Sequence, residues 1–162
     1  MGEMRQYDLR SFGEEISAVT ASPSENLGAE RLWKGEMYRY CYNAGGGTLS
    51  QNHGCKLVTG ASGYSVAMTS LTDIFSPCVG VAVHTAIVAG SYGWVMTKGF
   101  AIVKTSNSVI TADYVALGLA ADGGFGQLAE GAQIPANQVA GYGLNVDTAS
   151  AGSMYCFIKT GF

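Results

Sequence analysis

Residues 78–104, CVGVAVHTAIVAGSYGWVMTKGFAIVK, decide the fold that the sequence predicts. Small residues alternate in the first half with a row formed by Val79, Val81, Val83, Thr85 and Ile87, an alternation that is typical of a strand. Residues 90–93 then interrupt the pattern as a hairpin turn would. The second half, residues 94–104, is apolar on both faces, which indicates a strand buried on both sides. We therefore expect the central hairpin of an all-β domain.

Short strand-like runs separated by turn residues continue on both sides of this hairpin. Residues 36–162 contain 19 glycines, and turn signals recur every 8–14 residues. This spacing favours a sandwich or barrel-like domain of about eight short antiparallel strands over a fold that alternates strands and helices. We expect its core to combine the central hairpin with strands near residues 114–119, 139–146 and 153–158.

The first 36 residues differ from the rest of the chain in charge. They contain 4 basic and 7 acidic residues, whereas the other 126 residues contain 5 of each. We predict an extended N-terminal arm at residues 1–36 and a β-domain at residues 37–162. Ordering such an arm costs about 1–2 kcal/mol per residue, which burial against a neighbouring subunit would offset. The predicted partner-binding residues of the arm are Tyr7, Leu9, Phe12, Ile16, Leu27, Arg31, Leu32 and Trp33.

Composition limits the possible partners. Charged residues make up 13% of the chain, about half the usual share, which favours a homo-oligomer with large contact surfaces. The net charge of −3 argues against a nucleic-acid binder. We expect neither a membrane span, since no apolar run of sufficient length occurs, nor a signal peptide. The four cysteines lack the spacing of a metal or redox motif. We expect them to be reduced and buried, and we expect no metal, at Cys41, Cys55, Cys78 and Cys156.

Few residues offer catalytic chemistry. A Cys–His nucleophile would need its two members and a third orienting group adjacent in space, which nothing in the spacing around His53 or His84 requires. We interpret His84 as a structural residue on a buried strand and His53 as a surface residue. A glycosidase needs two carboxylates across a cleft. The loop acids are better explained as turn formers, at Asp113, Asp122 and Glu130. The sequence therefore predicts no enzyme and no cofactor.

Three tyrosines are expected on one face of a single strand, at Tyr38, Tyr40 and Tyr42. Such a row would either stack sugars or bases, or pack in the core or against a subunit. The packing interpretation is the more common one for tyrosines on a sheet face. The stacking interpretation, together with Trp94, leaves a glycan-binding module open as an alternative.

Four segments together carry a resemblance to a known class of proteins. They are GEEISAVTASPSENLGAERLWKG (13–35), MYRYCYNAGGGTL (37–49), YGWVMTKGFAIVKT (92–105) and AGYGLNVDTASAGSMYCFIKTGF (140–162). In style and order this sequence resembles the capsid decoration or cement proteins of tailed bacteriophages and related small head structural proteins.

That resemblance implies a β-rich virion protein that binds the outer surface of an icosahedral capsid and stabilises it. It implies the major capsid protein as a partner, a homotrimer as the favoured oligomer, and a location on the capsid surface after assembly in the host cytoplasm. The alternative is a glycan-binding or other structural module of a phage tail, fibre or head.

Overall fold

A computed structural model describes residues 16–58, 64–69, 77–106, 110, 115–128, 139–144 and 152–160. Within these ranges the regular structure is almost entirely β, which confirms the predicted class. No helix in the described ranges is long and apolar enough to cross a membrane. The described strands are β1 (Glu30–Trp33), β2 (Glu36–Asn43), β3 (Gly54–Leu57), β4 (Ser65–Ala67), β5 (Gly80–Val81), β6 (Tyr92–Lys104), β7 (Ala116–Leu119), β8 (Phe125–Gln127), β9 (Gly141–Gly143) and β10 (Ser153–Lys159).

Five of these strands close into a barrel. β2 pairs with β4 in parallel, and four antiparallel pairs complete the ring, namely β4–β3, β3–β5, β5–β6 and β6–β2. The aromatic and β-branched residues of β2 and β6 favour extended backbone. Closure gives each strand of the ring a neighbour on both sides, which satisfies backbone groups that an open sheet would expose.

The barrel interior is filled by one hydrophobic group, called here the barrel cluster. Its members are Cys41, Leu49, Cys55, Val66, Val79, Ala82, Ile87 and Val95. Successive side chains of a strand point to opposite faces. The alternate residues of the same strands therefore belong to a second group, the outer cluster, which includes Tyr38, Tyr40, Val81, Trp94 and Met96.

β6 continues beyond the barrel into a second layer of strands. Its C-terminal half pairs with β10, and β9, β7 and β8 follow in that order. A parallel bridge between Thr105 and Phe125 connects β8 back to the end of β6. The inner side of this layer extends the outer cluster with Val103, Leu117, Leu119, Met154 and Ile158. The strands predicted near 114–119, 139–146 and 153–158 therefore contribute to the core as expected.

A β-bulge separates the two halves of β6. Met37 pairs with Lys98 but Tyr38 pairs with Met96, so Thr97 is an extra residue on β6. An extra residue shifts the alternation of side chains by one position. The outer cluster accordingly contains even-numbered residues of β6 before the bulge and odd-numbered residues after it, namely Trp94, Met96, Ala101 and Val103.

The predicted central hairpin is only half correct. Its second strand is β6, which already begins at Tyr92, but its first strand is limited to Gly80–Val81. Beyond that point loop hydrogen bonds replace the ladder, as where the N–H of Ala82 donates to the carbonyl of His53 at 3.0 Å. β-Branched residues favour an extended backbone, but a segment becomes a strand only when it hydrogen-bonds to a neighbouring strand. The valine row therefore does not share one face: Val79 and Ile87 join the barrel cluster, Val81 joins the outer cluster, and Val83 is half-buried.

Residues 16–29, called here the covering segment, are packed on the outer cluster. Thr20 and Tyr92 exchange two backbone hydrogen bonds, of 3.1 and 2.8 Å. The side chain of Ile16 is buried in the outer cluster. Immediately after this segment, β1 pairs with β2. The described part of the predicted arm therefore does have its own chain to pack against, contrary to expectation.

Candidate functional site

The structure places the predicted partner-binding residues in different environments. Tyr7, Leu9 and Phe12 lie outside the described residues. Ile16 is held in the core of its own chain, and Leu27 and Trp33 are partly buried against the outer cluster. Leu32 is exposed on β1. The partner-binding role of the arm stays a prediction, and Leu32 is the described apolar member most open to a partner.

Two arginines connect β1 and the covering segment to the barrel. Arg31 forms an ion pair with Glu25, and its guanidinium carbon lies 4.8 Å from the ring centroid of Trp94. Arg39, almost fully buried, forms an ion pair with Glu30 and lies over the ring of Tyr64. A guanidinium over an aromatic ring is stabilised by the ring quadrupole. These contacts hold the covering segment in place, which favours a structural role for Arg31 alongside the predicted one.

His84 is exposed and lies in a bend, not on the buried strand that the sequence predicted. The Tyr38 hydroxyl donates its proton to a Glu36 carboxylate oxygen at 2.5 Å. His84 Nε2 must then donate to the Tyr38 oxygen, 2.8 Å away, because the phenol has only one proton. The edge of Trp33 contacts the imidazole. The imidazole is partly desolvated where it packs against Trp33 and Tyr38, which lowers the pKa of His84; the charge of Glu36 opposes this shift and that of Lys34 reinforces it.

In this Glu36–Tyr38–His84 chain, each side chain has a hydrogen-bond partner within the chain. Burial and the Glu36 carboxylate both raise the pKa of the Tyr38 hydroxyl, so the phenol stays protonated. The chain joins β2 to the loop after β5 and supports Trp33 of β1. A neutral, hydrogen-bonded phenol is a poor nucleophile, so the arrangement is better suited to fixing these elements than to reacting with a substrate.

Among the remaining candidates that the structure describes, His53 and Asp122 lie close together, because His53 packs against the turn that contains Asp122 and Gly123. His53 is half-buried, with Nδ1 3.3 Å from the sulfur of Met68. Burial, and to a smaller extent the charge of Lys104, lower the pKa of His53. Asp122 occupies a turn with φ of 52°, as expected of a turn former. Asp113 and Glu130 lie outside the described residues. Among described residues, no group of three His, Cys, Asp or Glu side chains is arranged to bind a metal.

All four cysteines are free and buried, which confirms the prediction of unbridged, buried thiols. Burial raises the pKa of the Cys41, Cys78 and Cys156 thiols to about 12, and that of Cys55 well above its ordinary value. The thiolate is the reactive form of cysteine. These side chains therefore act as small apolar residues of the core.

The predicted tyrosine row is divided between the core and the barrel surface. Tyr38 and Tyr40 are fully buried, and only Tyr42 is partly accessible. Trp94 is also buried, beneath the guanidinium of Arg31. A sugar or base could not stack on rings that other side chains already cover. These residues therefore belong to the packing interpretation, and the stacking interpretation loses its structural basis.

The largest exposed apolar surface formed by the described residues lies elsewhere, on β6, β9 and β10. It consists of Phe100, Ile102, Tyr142, Tyr155 and Phe157, and is called here the apolar face. Register brings these side chains together, since Phe100 pairs with Phe157, Ile102 with Tyr155, and Phe157 with Tyr142. The exposed fractions are 64% for Phe100, 61% for Tyr155, 45% for Tyr142 and 41% for Ile102.

The area of the apolar face is comparable to that of the largest apolar patches on soluble proteins. With aromatic side chains of about 200 Å² each, the exposed fractions of its three most accessible rings give roughly 340 Å². Contiguous apolar patches of a few hundred Å² commonly mark binding sites on soluble proteins. This surface was not predicted from the sequence, because residues 94–104 were expected to be buried on both faces. The sequence did contain a signal of an exposed face, since Lys98, Phe100, Ile102 and Lys104 occupy alternate positions and therefore one side of a strand.

Comparison with known proteins gives a likeness in fold. No protein-family model matches the chain, and no curated protein matches it. Among solved structures, the N-terminal base of the head fibre protein gp8.5 of bacteriophage phi29 is similar, with a TM-score of 0.52 and 14% sequence identity. The likeness covers 75% of this chain and 92% of that chain.

At that sequence identity, the likeness concerns the fold alone. The described chain and the phi29 head fibre base share a β architecture over most of the smaller structure. Both the barrel and the second layer are needed to account for a coverage of 75% of 162 residues.

Proposed function

We propose that this chain is a structural protein of a tailed-bacteriophage head, which binds the outer surface of the icosahedral capsid and stabilises it. The observation that carries the proposal is the fold likeness to a head fibre base, which covers 92% of that base. The low share of charged residues and the exposed apolar face support it, since both suit a protein with extensive contacts.

In this proposal the major capsid protein is the partner, and the chain assembles as a homo-oligomer, with a trimer favoured. It acts without catalysis, cofactor, nucleic acid or membrane, and reaches the capsid surface after synthesis in the host cytoplasm. The buried thiols suit a protein made in a reducing compartment, where disulfides rarely persist.

A shell-binding experiment tests the proposal directly. Purified full-length protein is added to capsids of the phage that encodes it, prepared from a mutant lacking the gene, and bound protein is measured by co-sedimentation. We expect saturable binding, ordered density on the outer surface by cryo-electron microscopy, and a higher temperature of capsid disruption. Protein that stays in the supernatant at saturating concentration would overturn the proposal.

A second role is favoured by the same fold likeness, namely the base that anchors a longer fibre to the head. A base and a cement protein differ in what they do to the capsid. A cement protein raises capsid stability, whereas a fibre base leaves it unchanged and carries further chain outward. The capsid-disruption temperature in the experiment above therefore separates the two roles.

A further inference from the structure

Positive charge surrounds the apolar face. Lys98 and Lys159 are paired at one end, and Lys104 continues the same alternation at the other end. These are three of the nine basic residues of the chain. The described strands β6, β7, β9 and β10 contain no acidic residue.

The lysines at the two ends of the apolar face limit which partners could bind there. Two such faces stacked on each other would bring lysines together and leave them without counter-charges, which disfavours symmetric association through this surface. An apolar segment that also carries acidic residues would match both the rings and the lysines.

The first fifteen residues of the chain, MGEMRQYDLRSFGEE, have this composition. They carry 4 acidic and 2 basic residues, hence −2 of the total net charge of −3. Tyr7 and Leu9 alternate as side chains on one face of an extended segment do, and Phe12 adds a second aromatic ring. An extended peptide uses alternate side chains in this way when it docks on a β-sheet protein.

The position of Ile16 indicates which copy supplies the segment. Ile16 is buried in the outer cluster, which lines the side of β6 opposite to the apolar face. Phe12 lies only four positions before Ile16, so its Cα can be at most about 14 Å from that of Ile16. Within one chain the segment would have to pass around the edge of the sheet, where each strand adds about 4.8 Å. The apolar face of a neighbouring copy involves no such detour, and fifteen extended residues span about 50 Å.

We propose that residues 1–15 of one copy dock on the apolar face of a second copy, with Tyr7 and Leu9 against its rings and the acidic residues near its lysines. The inference deepens the proposed function, on which it rests for the presence of neighbouring copies, by assigning the contact that links them. Repeated around a ring or across a shell, such a contact is heterologous, because the segment and its receptor are different surfaces.

Site-specific photo-cross-linking in the full-length protein tests the contact. The photoreactive residue p-benzoylphenylalanine replaces Tyr7, and a mixture of ¹⁴N- and ¹⁵N-labelled protein is irradiated and analysed by mass spectrometry. We expect cross-linked peptides that combine the two isotopes and join position 7 to Phe100, Ile102, Tyr142, Tyr155 or Phe157. Cross-links confined to one isotope would show that each chain covers its own face, and cross-links to other surfaces, or none, would equally overturn the proposal.

A matched pair of variants tests the receptor side. Phe100→Ser combined with Tyr155→Ser removes two exposed rings without disturbing the core, and Val88→Ser removes an exposed apolar side chain outside the face. The double variant should lose most of the mixed-isotope cross-links and most self-association in sedimentation velocity, whereas the Val88→Ser control should keep both. Equal self-association of the two proteins would overturn the proposal.

The shell-binding experiment separates this inference from the proposed function. A double variant that still binds capsids, but no longer cross-links between copies, supports both statements. Photoreactive protein with an unaltered apolar face that cross-links between copies but fails to bind capsids would overturn the proposed function and leave the contact between copies standing.

Discussion

The side chain of Val95 lies fully buried inside the barrel. We predict that Val95→Asp unfolds the protein, because it buries an unpaired charge at a cost of several kcal/mol. The same change at Val83, which is only half-buried, should cost much less, since the carboxylate can reach water. Thermal unfolding followed by circular dichroism measures both. A Val95→Asp protein as stable as Val83→Asp would contradict this account of the barrel interior.

The buried thiols make stability sensitive to alkaline pH. Folding raises the pKa of Cys41, Cys78 and Cys156 from about 9 to about 12. In the unfolded chain these thiols ionise first, so stability is constant below pH about 9 and falls as pH rises towards 12. Urea unfolding under reducing conditions should show that decline, with a smaller slope in a Cys78→Ala, Cys156→Ala variant. An equal slope in the two proteins would assign the decline to other groups.

The predictions for individual residues were correct where they depended only on residue type and local spacing. The absence of redox or metal spacing correctly indicated four unbridged cysteines, and the turn role of Asp122 followed from its sequence neighbours. His84 was misplaced because its strand was drawn too long. The contact of His84 with Tyr38 joins residues 46 positions apart, which no local pattern reveals.

At the scale of elements, the bulge at Thr97 determines which side chains of β6 are buried. We predict that deleting Thr97 is far more destabilising than Thr97→Ala. Deletion removes the extra residue and would turn Lys98 and Phe100 inward while exposing Ala101 and Val103. The Thr97→Ala change removes only a hydrogen bond to the carbonyl of Met37, worth about 1 kcal/mol. Urea unfolding of the two variants would contradict the assignment if their midpoints coincide.

The bulge also explains why the burial of β6 was only partly predicted from the sequence. The residues of β6 do include apolar side chains at both parities, so a strand buried on both faces was a reasonable prediction. The first half of β6 is buried on both faces, whereas the second half alternates between buried and exposed residues. Only the pairing of Tyr38 with Met96 and of Met37 with Lys98 reveals where the alternation changes, and pairing is a long-range property.

For the whole molecule, the covering segment belongs to the folded body. We predict that a chain lacking residues 1–15 keeps the fold, whereas one lacking residues 1–30 loses much of its stability. The longer deletion removes Ile16, the hydrogen bonds of Thr20, and the contacts of Ser24 with the Tyr40 hydroxyl. Circular dichroism and thermal unfolding of the two truncated proteins measure the difference. Equal melting temperatures would return residues 16–30 to the role of a separate arm.

The class of fold followed from short apolar runs and frequent turns, because these are local properties of the chain. The choice between a sandwich and a closed barrel did not, since the ring depends on β2 pairing with β4 and β6 at the same time. The apolar face remained hidden for a related reason. Its five side chains come from three strands, and they become neighbours only through the registers of β10 with β6 and β9.

Because β6 belongs to both the barrel and the second layer, the two parts cannot melt separately without breaking that strand. Amide protons of β6 should therefore exchange with solvent only when the whole molecule opens, and their exchange rates should converge on one opening free energy. Amides of β1 and β8, which end the order of paired strands, should exchange sooner through local fraying. This thirteen-residue strand thus joins the barrel and the second layer into one cooperative unit.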